Sequence, residues 1–205
     1  MRLAVSALLL LAVGLIAASC QSLSKDECVA ADWRVIGEQD GSEGRDPQQR
    51  FGNHAKACER AGVVPDQTAW NEGYQRGLLK FCTPLRGLSY GQAGSTYNNV
   101  CPPHLEAGFL SGYRLGNEEA RKKSDIRNLE NRIRSAERSI DDLEEKISKG
   151  KVDEDDAERQ IRRYRGDIRD WNRDIGRAEA DLGEIQRRIE YFANDPANTA
   201  VPYGG

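Results

Sequence analysis

Histidine is almost absent from this chain, which has only His54 and His104 among its 205 residues. The two lie far apart in sequence and form neither a His-x-x-x-His nor a His-Glu pair, and no Gly-x-Ser-x-Gly segment occurs. Such spacings bring metal ligands together or place a nucleophile on an exposed turn. The sequence therefore predicts no catalytic residue, no metal site and no cofactor, and each histidine is expected to be a surface or loop residue.

Long apolar runs are equally scarce, and the one present extends from Leu3 to Ala18. It follows the basic Arg2, is too short to span a bilayer and ends in small residues. This is the pattern of a secretory signal peptide, predicted here over residues 1–19. The mean hydropathy of -0.72 excludes a polytopic membrane protein.

Cys20 directly follows these small residues, at the position where a bacterial lipoprotein is lipidated. We predict that acyl chains on Cys20 anchor the protein to a membrane. Gln21 follows in place of the aspartate that retains lipoproteins in the inner membrane, which favours the outer membrane, facing the periplasm. The alternative is an ordinary signal cleavage that leaves Cys20 as a spare thiol.

Close cysteine pairs are also missing, although the chain has five cysteines. Without Cys20 an even number remains for the mature domain. These are Cys28, Cys58, Cys82 and Cys101. In an oxidising compartment they are expected to form two disulfides, with three possible connectivities that the sequence does not separate. Zinc is the alternative, but zinc sites use closely spaced cysteine pairs.

Proline and cysteine do not occur in residues 118–193, where 40 of 76 residues are charged. Apolar residues recur there at alternating steps of three and four, first from Ile126 to Ile147 and again from Ala157 to Phe192. This heptad spacing is typical of helices packed side by side. Gly150 suits a helix end and Asp153 a helix start, so the pattern predicts an antiparallel hairpin that turns near residues 148–153.

Two further expectations concern the same region. The apolar residues from Leu182 to Phe192 extend beyond the first helix's seam and are expected to pack against the cysteine-containing region, and residues 194–205 are expected to be a disordered tail. One continuous helix paired with a second chain is the alternative to the hairpin, but it would place Gly150 inside a helix at a cost of about 1 kcal/mol. Without residues 1–19 the chain has 29 basic and 33 acidic residues, a formal charge of -4, which predicts no nucleic-acid binding. The 19 basic and 21 acidic residues of the hairpin are typical of the solvated face of a coiled coil.

Glycine and aromatic residues dominate the preceding region, residues 20–117. Gly-x-x-x-Gly steps beside aromatic residues include those that begin at Gly37, Gly73 and Gly108. On a helix such spacing lets a neighbouring helix approach closely, so these segments are predicted to pack inside a small domain. Pro84, Gly87, Gly91, Gly94, Pro102 and Pro103 predict a loop that carries Cys101.

Cysteine, glycine and aromatic residues follow one another at characteristic intervals between Glu27 and Gly112. The order is Glu27-Cys28, Asp32-Trp33, Gly37, Asp40-Gly41, Gly44, Cys58, Gly73-Tyr74, Gly77-Leu78, Cys82, Gly91, Gly94, Tyr97, Cys101 and Gly112. Residues 25–116 thereby resemble a proteobacterial lipoprotein family, domain of unknown function 2799. The resemblance implies an envelope lipoprotein and no particular activity, and the hairpin lies outside its pattern.

The predicted fold class is mostly α, with a small disulfide-stapled helical domain with loops at residues 20–117 and a long antiparallel coiled-coil hairpin at residues 118–193. The predicted function is that of a noncatalytic cell-envelope lipoprotein of unknown specific role. It is predicted to be an interaction or structural protein whose hairpin presents a binding surface or spacer to another envelope protein. The alternative is a periplasmic ligand-binding or peptidoglycan-binding module in the cysteine domain. Its motivation is the local concentration of Trp33, Trp70, Tyr74, Tyr90 and Tyr97. The third hypothesis is that the protein is an enzyme.

Overall fold

The computed structural model describes residues 23–199, which are predominantly α-helical, as predicted. The helices in chain order are α1 (Lys25–Val29), α2 (Trp33–Ser42), α3 (Pro47–Glu59), α4 (Gln67–Phe81), α5 (Pro84–Gln92), α6 (Pro103–Ser148), α7 (Glu154–Asn194) and α8 (Pro196–Thr199). They form two compact units. The first comprises the described residues up to Phe81 with Asn98–Val100, and the second comprises Cys82–Tyr97 and the described residues from Cys101 onward.

Helices of the first unit begin at residues whose side chains satisfy the otherwise unpaired backbone N–H groups of a first turn. The Asp32 carboxylate accepts hydrogen bonds from the backbone N–H groups of Arg34 and Val35 at the start of α2. Asp46 accepts from the N–H of Gln49 at the start of α3, where proline follows at the first helical position. These caps fix where α2 and α3 begin.

Glycines bring α2 and α4 of the first unit into backbone-to-backbone contact. A Cβ atom on Gly37 would lie 1.9 Å from the carbonyl oxygen of Trp70, and one on Gly73 would lie 1.9 Å from the carbonyl oxygen of Arg34. Real Cβ atoms do not approach other atoms this closely. Both helices therefore require glycine at the crossing, which confirms the close packing predicted from the Gly-x-x-x-Gly spacing.

The second unit begins with a helix where the sequence analysis predicted a loop. That prediction is wrong for residues 84–92, because Pro84 lies in the first turn of α5, where its missing N–H costs nothing, and the Thr83 side chain accepts from the N–H of Arg86. Residues 93–102, which carry Cys101, do form a loop. Gly87 packs against the carbonyl oxygen of Phe109 in α6 in the same way as the glycines of the first unit pack. Proline and glycine here mark a capped, closely packed helix.

The helix pairs α2/α4 and α5/α6 are built alike. Gly37, Gly41 and Gly44 recur fifty positions later as Gly87, Gly91 and Gly94. Gly44 and Gly94 both adopt left-handed φ angles, of +67° and +66°. The Tyr74 hydroxyl donates to the carbonyl of Arg45 at 2.5 Å, and the Tyr113 hydroxyl donates to the carbonyl of Ser95 at 2.9 Å. The chain thus contains two copies of one structural motif, a glycine-packed helix pair.

Helices α6 and α7 of the second unit form the predicted antiparallel hairpin. Gly150 has a φ of +60°, and the N–H of Lys151 bonds to the carbonyl of Lys146, which closes the end of α6. Asp153 then caps α7 by accepting from the N–H of Asp156. Ion pairs join the two helices along their length. These are Arg165–Glu144, Lys122–Asp181 and Arg188–Glu118.

The hairpin buries the apolar seam that its heptads predict. The buried seam residues are Ala136, Ile140, Ala157, Ile161, Ala178 and Ile185. Near the end of α7, Ile185 packs with Leu88 and Leu115, and Ile189 and Phe192 pack against this cluster. Leu88 and Leu115 belong to the cysteine-containing region, so the expected packing of the end of α7 on that region is confirmed.

The last described residues form the single helical turn α8, within the segment predicted as a disordered tail, whereas residues 200–205 lie outside the described residues. The predicted signal peptide at residues 1–19 and Cys20 also lie outside them. Between residues 23 and 199, every helix is too short or too polar to cross a bilayer.

Candidate functional site

The four cysteines of the described chain are joined in pairs, which confirms the predicted disulfides. Cys28 is bonded to Cys58, and Cys82 is bonded to Cys101. Each bond lies within one unit, and all four side chains are buried. Of the three connectivities that the sequence left open, the structure shows this one, and the zinc alternative is wrong because each sulfur is bonded to another sulfur.

This connectivity predicts a specific pair of linked peptides. Proteolysis without reduction, followed by mass spectrometry, is expected to yield Cys28 linked to Cys58 and Cys82 linked to Cys101. The first bond closes a 30-residue separation, for which the loss of unfolded-state entropy stabilises the fold by about 3.5 kcal/mol. Replacing Cys28 and Cys58 together by serine should lower the stability of the first unit by that amount. Any peptide that links Cys58 to Cys82 would contradict the structure.

A buried polar cluster lies at the centre of the first unit, around the Asp40 carboxylate of α2. Arg50 Nε donates to Asp40 Oδ1 at 2.7 Å, and Trp70 Nε1 donates to Oδ2 at 3.0 Å. His54 Nε2 lies 2.7 Å from the same Oδ2. Asp40 and His54 are each only 2% exposed. One carboxylate thus connects α2 to α3 and α4.

Electrostatics keep the Asp40 carboxyl ionised. Burial raises its pKa, but hydrogen bonds from His54, Arg50 and Trp70 together outweigh the burial and leave the pKa below its ordinary value. A carboxylate carries no proton to give, so His54 Nε2 is the donor. The other ring nitrogen, Nδ1, is buried without a hydrogen-bond partner among the described residues.

One of the two histidines does not lie at the surface or in a loop, where the sequence predicted it. The predicted surface or loop position is wrong for His54, which is buried inside α3 because Asp40 supplies a polar partner there. His104 is exposed, in the first turn of α6. The burial of His54 closes it to substrates, so the cluster connects helices and does not form an open site.

The aromatic residues that motivated a ligand-binding module are largely used in the cores. Trp33, Trp70 and Tyr74 are between 2% and 8% exposed. Trp70 stacks on Tyr74 with ring centroids 4.9 Å apart, and the polar atoms of both bond internally. Rings in such positions stabilise the first unit and are not available to stack on a sugar or another ligand.

In the second unit, Tyr97 closes the loop between α5 and α6. Its hydroxyl accepts from the N–H of Cys101 at 3.0 Å and donates to Glu106 Oε1 at 3.1 Å, while its ring packs 4.7 Å from that of Phe109. Burial raises the pKa of Tyr97 to about 12. The phenol therefore stays protonated and keeps donating to Glu106 at every physiological pH.

Glu119 is a buried carboxylate at the point where α6 continues from the helix pair into the hairpin. Gln92 donates to its Oε2 at 2.8 Å, and Lys123 Nζ lies 2.6 Å from its Oε1. Burial raises the pKa of Glu119, but hydrogen bonds from Lys123, Gln92 and Gln186 lower it further than burial raises it. The hydrogen bonds of the Glu119 carboxylate therefore connect α5, α6 and α7 at the base of the hairpin.

A groove of about 720 Å³ lies between α6 and α7 near this base. It is lined by apolar residues and by arginines, including Arg114 and Arg187, and by Tyr191, which is 79% exposed. An exposed tyrosine beside arginines is the combination that protein interfaces favour. The groove therefore has the residue types of a protein-binding surface.

Charge is segregated along the hairpin. We call residues 141–158 the tip and residues 121–138 with 159–177 the shaft. The tip has nine acidic and three basic residues, whereas the shaft has fourteen basic and six acidic residues. Twelve of the basic residues are arginines. The hairpin therefore has an acidic end next to a strongly basic middle, which its near-balanced total charge conceals.

Comparison with known proteins adds a family for part of the chain. No curated protein and no solved structure matches it. The model of a family described as "Protein of unknown function (DUF2799)" matches residues 32–118. The match covers both glycine-packed helix pairs and ends where the hairpin begins. The resemblance to this family of unknown function is therefore confirmed over residues 32–118.

Proposed function

We propose that the protein is a noncatalytic cell-envelope lipoprotein, anchored through a lipidated Cys20, whose hairpin binds another protein of the envelope. The observation that carries this proposal is the length of the hairpin. Helix α6 has 46 residues and α7 has 41, yet the helix pair with α5 needs only the first few turns of α6. The remainder buries its own seam and exposes both outer faces.

Two further features support the proposal. A disulfide within each unit is what an exported protein uses in an oxidising compartment. The exposed Tyr191 and the arginine-lined groove provide a surface of the kind that binds proteins. Among the described residues, the polar cluster around Asp40 leaves His54 only 2% exposed.

Removal of the hairpin tests this function. Residues 124–176 would be replaced by a short Gly-Ser linker, which keeps Glu119, Lys122 and the Ile185 cluster in place. We expect the variant to fractionate with the membrane like the wild type and to lose at least ten-fold of the crosslinked partner recovered from cells, because the exposed faces of the hairpin are gone.

A Cys20→Ser variant serves as the matched control, because it should release the protein from the membrane without changing the hairpin. Full recovery of the crosslinked partner after deletion of residues 124–176 would exclude the projecting part of the hairpin as the binding element, because the groove beside Tyr191 at its base remains in this variant. Membrane retention of the Cys20→Ser protein would exclude the lipid anchor independently.

A further inference from the structure

We propose that the hairpin binds a second copy of this chain in antiparallel orientation, with the acidic tip of each copy against the basic shaft of the other. The inference goes beyond the proposed function, because it gives the hairpin a further partner, a second copy of the same chain. It goes further in assigning which part of the hairpin makes each contact.

Unpaired charge is the first reason. Of the shaft's basic side chains, seven arginines have no carboxylate within 4 Å among the described residues. They are Arg121, Arg127, Arg132, Arg134, Arg138, Arg163 and Arg169. In the tip, Asp141, Glu154 and Asp155 likewise have no ion-pair partner among the described residues. Each segment offers the charge that the other lacks, and the internal ion pairs do not consume it.

The positions of the two segments make this pairing symmetric. The centre of the shaft on α6 is near Leu129 and the turn is at Gly150, a separation of about 30 Å at 1.5 Å per residue. Midway between them lies Ser139. Two antiparallel hairpins related by a two-fold axis beside Ser139 would place each tip on the other shaft. Both contacts then form in one closed dimer, which is the commonest symmetry of soluble oligomers.

A groove lies at the position required for the two-fold axis. It has a volume of about 330 Å³ between α6 and α7 and includes Ser139 in its lining. On α6 its walls are the small residues Ser135, Ala136 and Ser139 together with Asn131 and Arg132. On α7 they are the half-buried rings of Tyr164 and Trp171. Two such grooves facing each other would bury the aromatic rings that the hairpin alone leaves partly exposed, with charge pairs on either side.

An anionic surface, such as a membrane of acidic lipids, would also attract the arginine-rich shaft. The same surface would repel the tip, where acidic residues exceed basic ones by six. A second copy of the chain offers a basic shaft to the acidic tip and an acidic tip to the basic shaft. The charge pattern therefore favours a second copy over an anionic surface.

Charge reversal in the full chain tests the dimer by sedimentation velocity. The tip variant carries Asp141→Lys, Glu154→Lys and Asp155→Lys, and the shaft variant carries Arg134→Glu, Arg138→Glu and Arg163→Glu. We expect the wild type to be dimeric at low salt and to dissociate towards 1 M salt, where the Debye length is about 3 Å. Each variant alone should dimerise at least ten-fold more weakly, because the tip variant loses the net negative charge of its tip and the shaft variant loses most of the net positive charge of its shaft.

Mixing the two variants is the decisive step, because the unaltered shaft of one copy then faces the unaltered tip of the other, and the introduced lysines face the introduced glutamates. We expect the mixture to recover a dimer that contains one copy of each. The control Glu179→Lys with Glu190→Lys changes charge near the base and should leave the wild-type dimer intact. Circular dichroism checks that each variant keeps its helix content.

A monomeric wild type, or a tip variant that dimerises normally, would overturn the inference. So would binding of the wild type to vesicles of acidic lipid with no dimer in solution. None of these results bears on the capture of an envelope partner by the hairpin in cells, so the proposed function would fail only if the deletion of residues 124–176 left that capture unchanged.

Discussion

Gly37→Ala is expected to disrupt the helix pair α2/α4 and to destabilise the first unit by about 3 kcal/mol or more. The added Cβ would lie 1.9 Å from the carbonyl oxygen of Trp70 and 2.8 Å from its carbonyl carbon. Both atoms are backbone and cannot rotate away. The helices must therefore separate along their whole contact, which also weakens the hydrogen bond from Trp70 to Asp40.

Gly52→Ala is the matched control within the same unit. Gly52 lies inside α3, and a Cβ there would meet no atom within 4 Å. Alanine is the better helix former, so this variant should gain about 0.5–1 kcal/mol. The two substitutions are chemically identical and are expected to have opposite signs, because only one glycine lies against another backbone.

Tryptophan fluorescence during urea unfolding measures both variants. The chain has three tryptophans, of which Trp33 and Trp70 are in the first unit and Trp171 is in the hairpin. A Trp171→Phe background therefore makes the signal specific to the first unit. Equal stability of Gly37→Ala and Gly52→Ala would show that α2 and α4 do not pack backbone to backbone.

The hairpin was predictable because its signal is local. A heptad specifies which face of a helix is buried without reference to distant residues, and Gly150 and Asp153 specify the turn through their own backbone conformations. The second strong signal, Gly-x-x-x-Gly, correctly indicated close helix packing. Both patterns require only neighbours within two turns to be interpreted.

Helix α5 was not predicted because glycine and proline occur both in loops and in closely packed or capped helices. Gly87 and Gly91 can end a helix or permit another helix to approach, and only the partner helix decides between these roles. A usable signal was nevertheless present. The spacing of Gly37, Gly41 and Gly44 recurs at Gly87, Gly91 and Gly94, and comparison of the two segments would have predicted a second helix.

The polar cluster around Asp40 could not be predicted from sequence pattern. Its members come from three helices, and the cost of burying His54 is offset only when Asp40 lies beside it. No periodicity marks such a pair, and a lone histidine in a polar helix is ordinarily exposed. Its burial depends on the α2/α4 crossing, which brings Trp70 to the same carboxylate.

Asp40→Asn is expected to destabilise the first unit by about 3–5 kcal/mol at neutral pH. The amide removes the negative charge that faces the guanidinium of Arg50, and its single oxygen cannot accept all the hydrogen bonds that Arg50, His54 and Trp70 give to the carboxylate. The control Asp46→Asn changes a capping residue of the same unit. Asparagine caps a helix as well as aspartate does, so this control should change stability by less than about 0.5 kcal/mol.

The pH dependence of the free energy of unfolding shows whether the ionised form of Asp40 stabilises the fold. Because the folded state holds the pKa of Asp40 below its ordinary value, the carboxylate stabilises the fold fully above the unfolded pKa of about 4. That stabilisation is lost as the pH falls through the lower, folded pKa. The stability gap between wild type and Asp40→Asn, measured by the same tryptophan fluorescence, should therefore be largest near pH 7 and should narrow below pH 4. A gap that stayed constant from pH 7 to pH 2.5 would mean that the fold does not depend on the ionised form of Asp40.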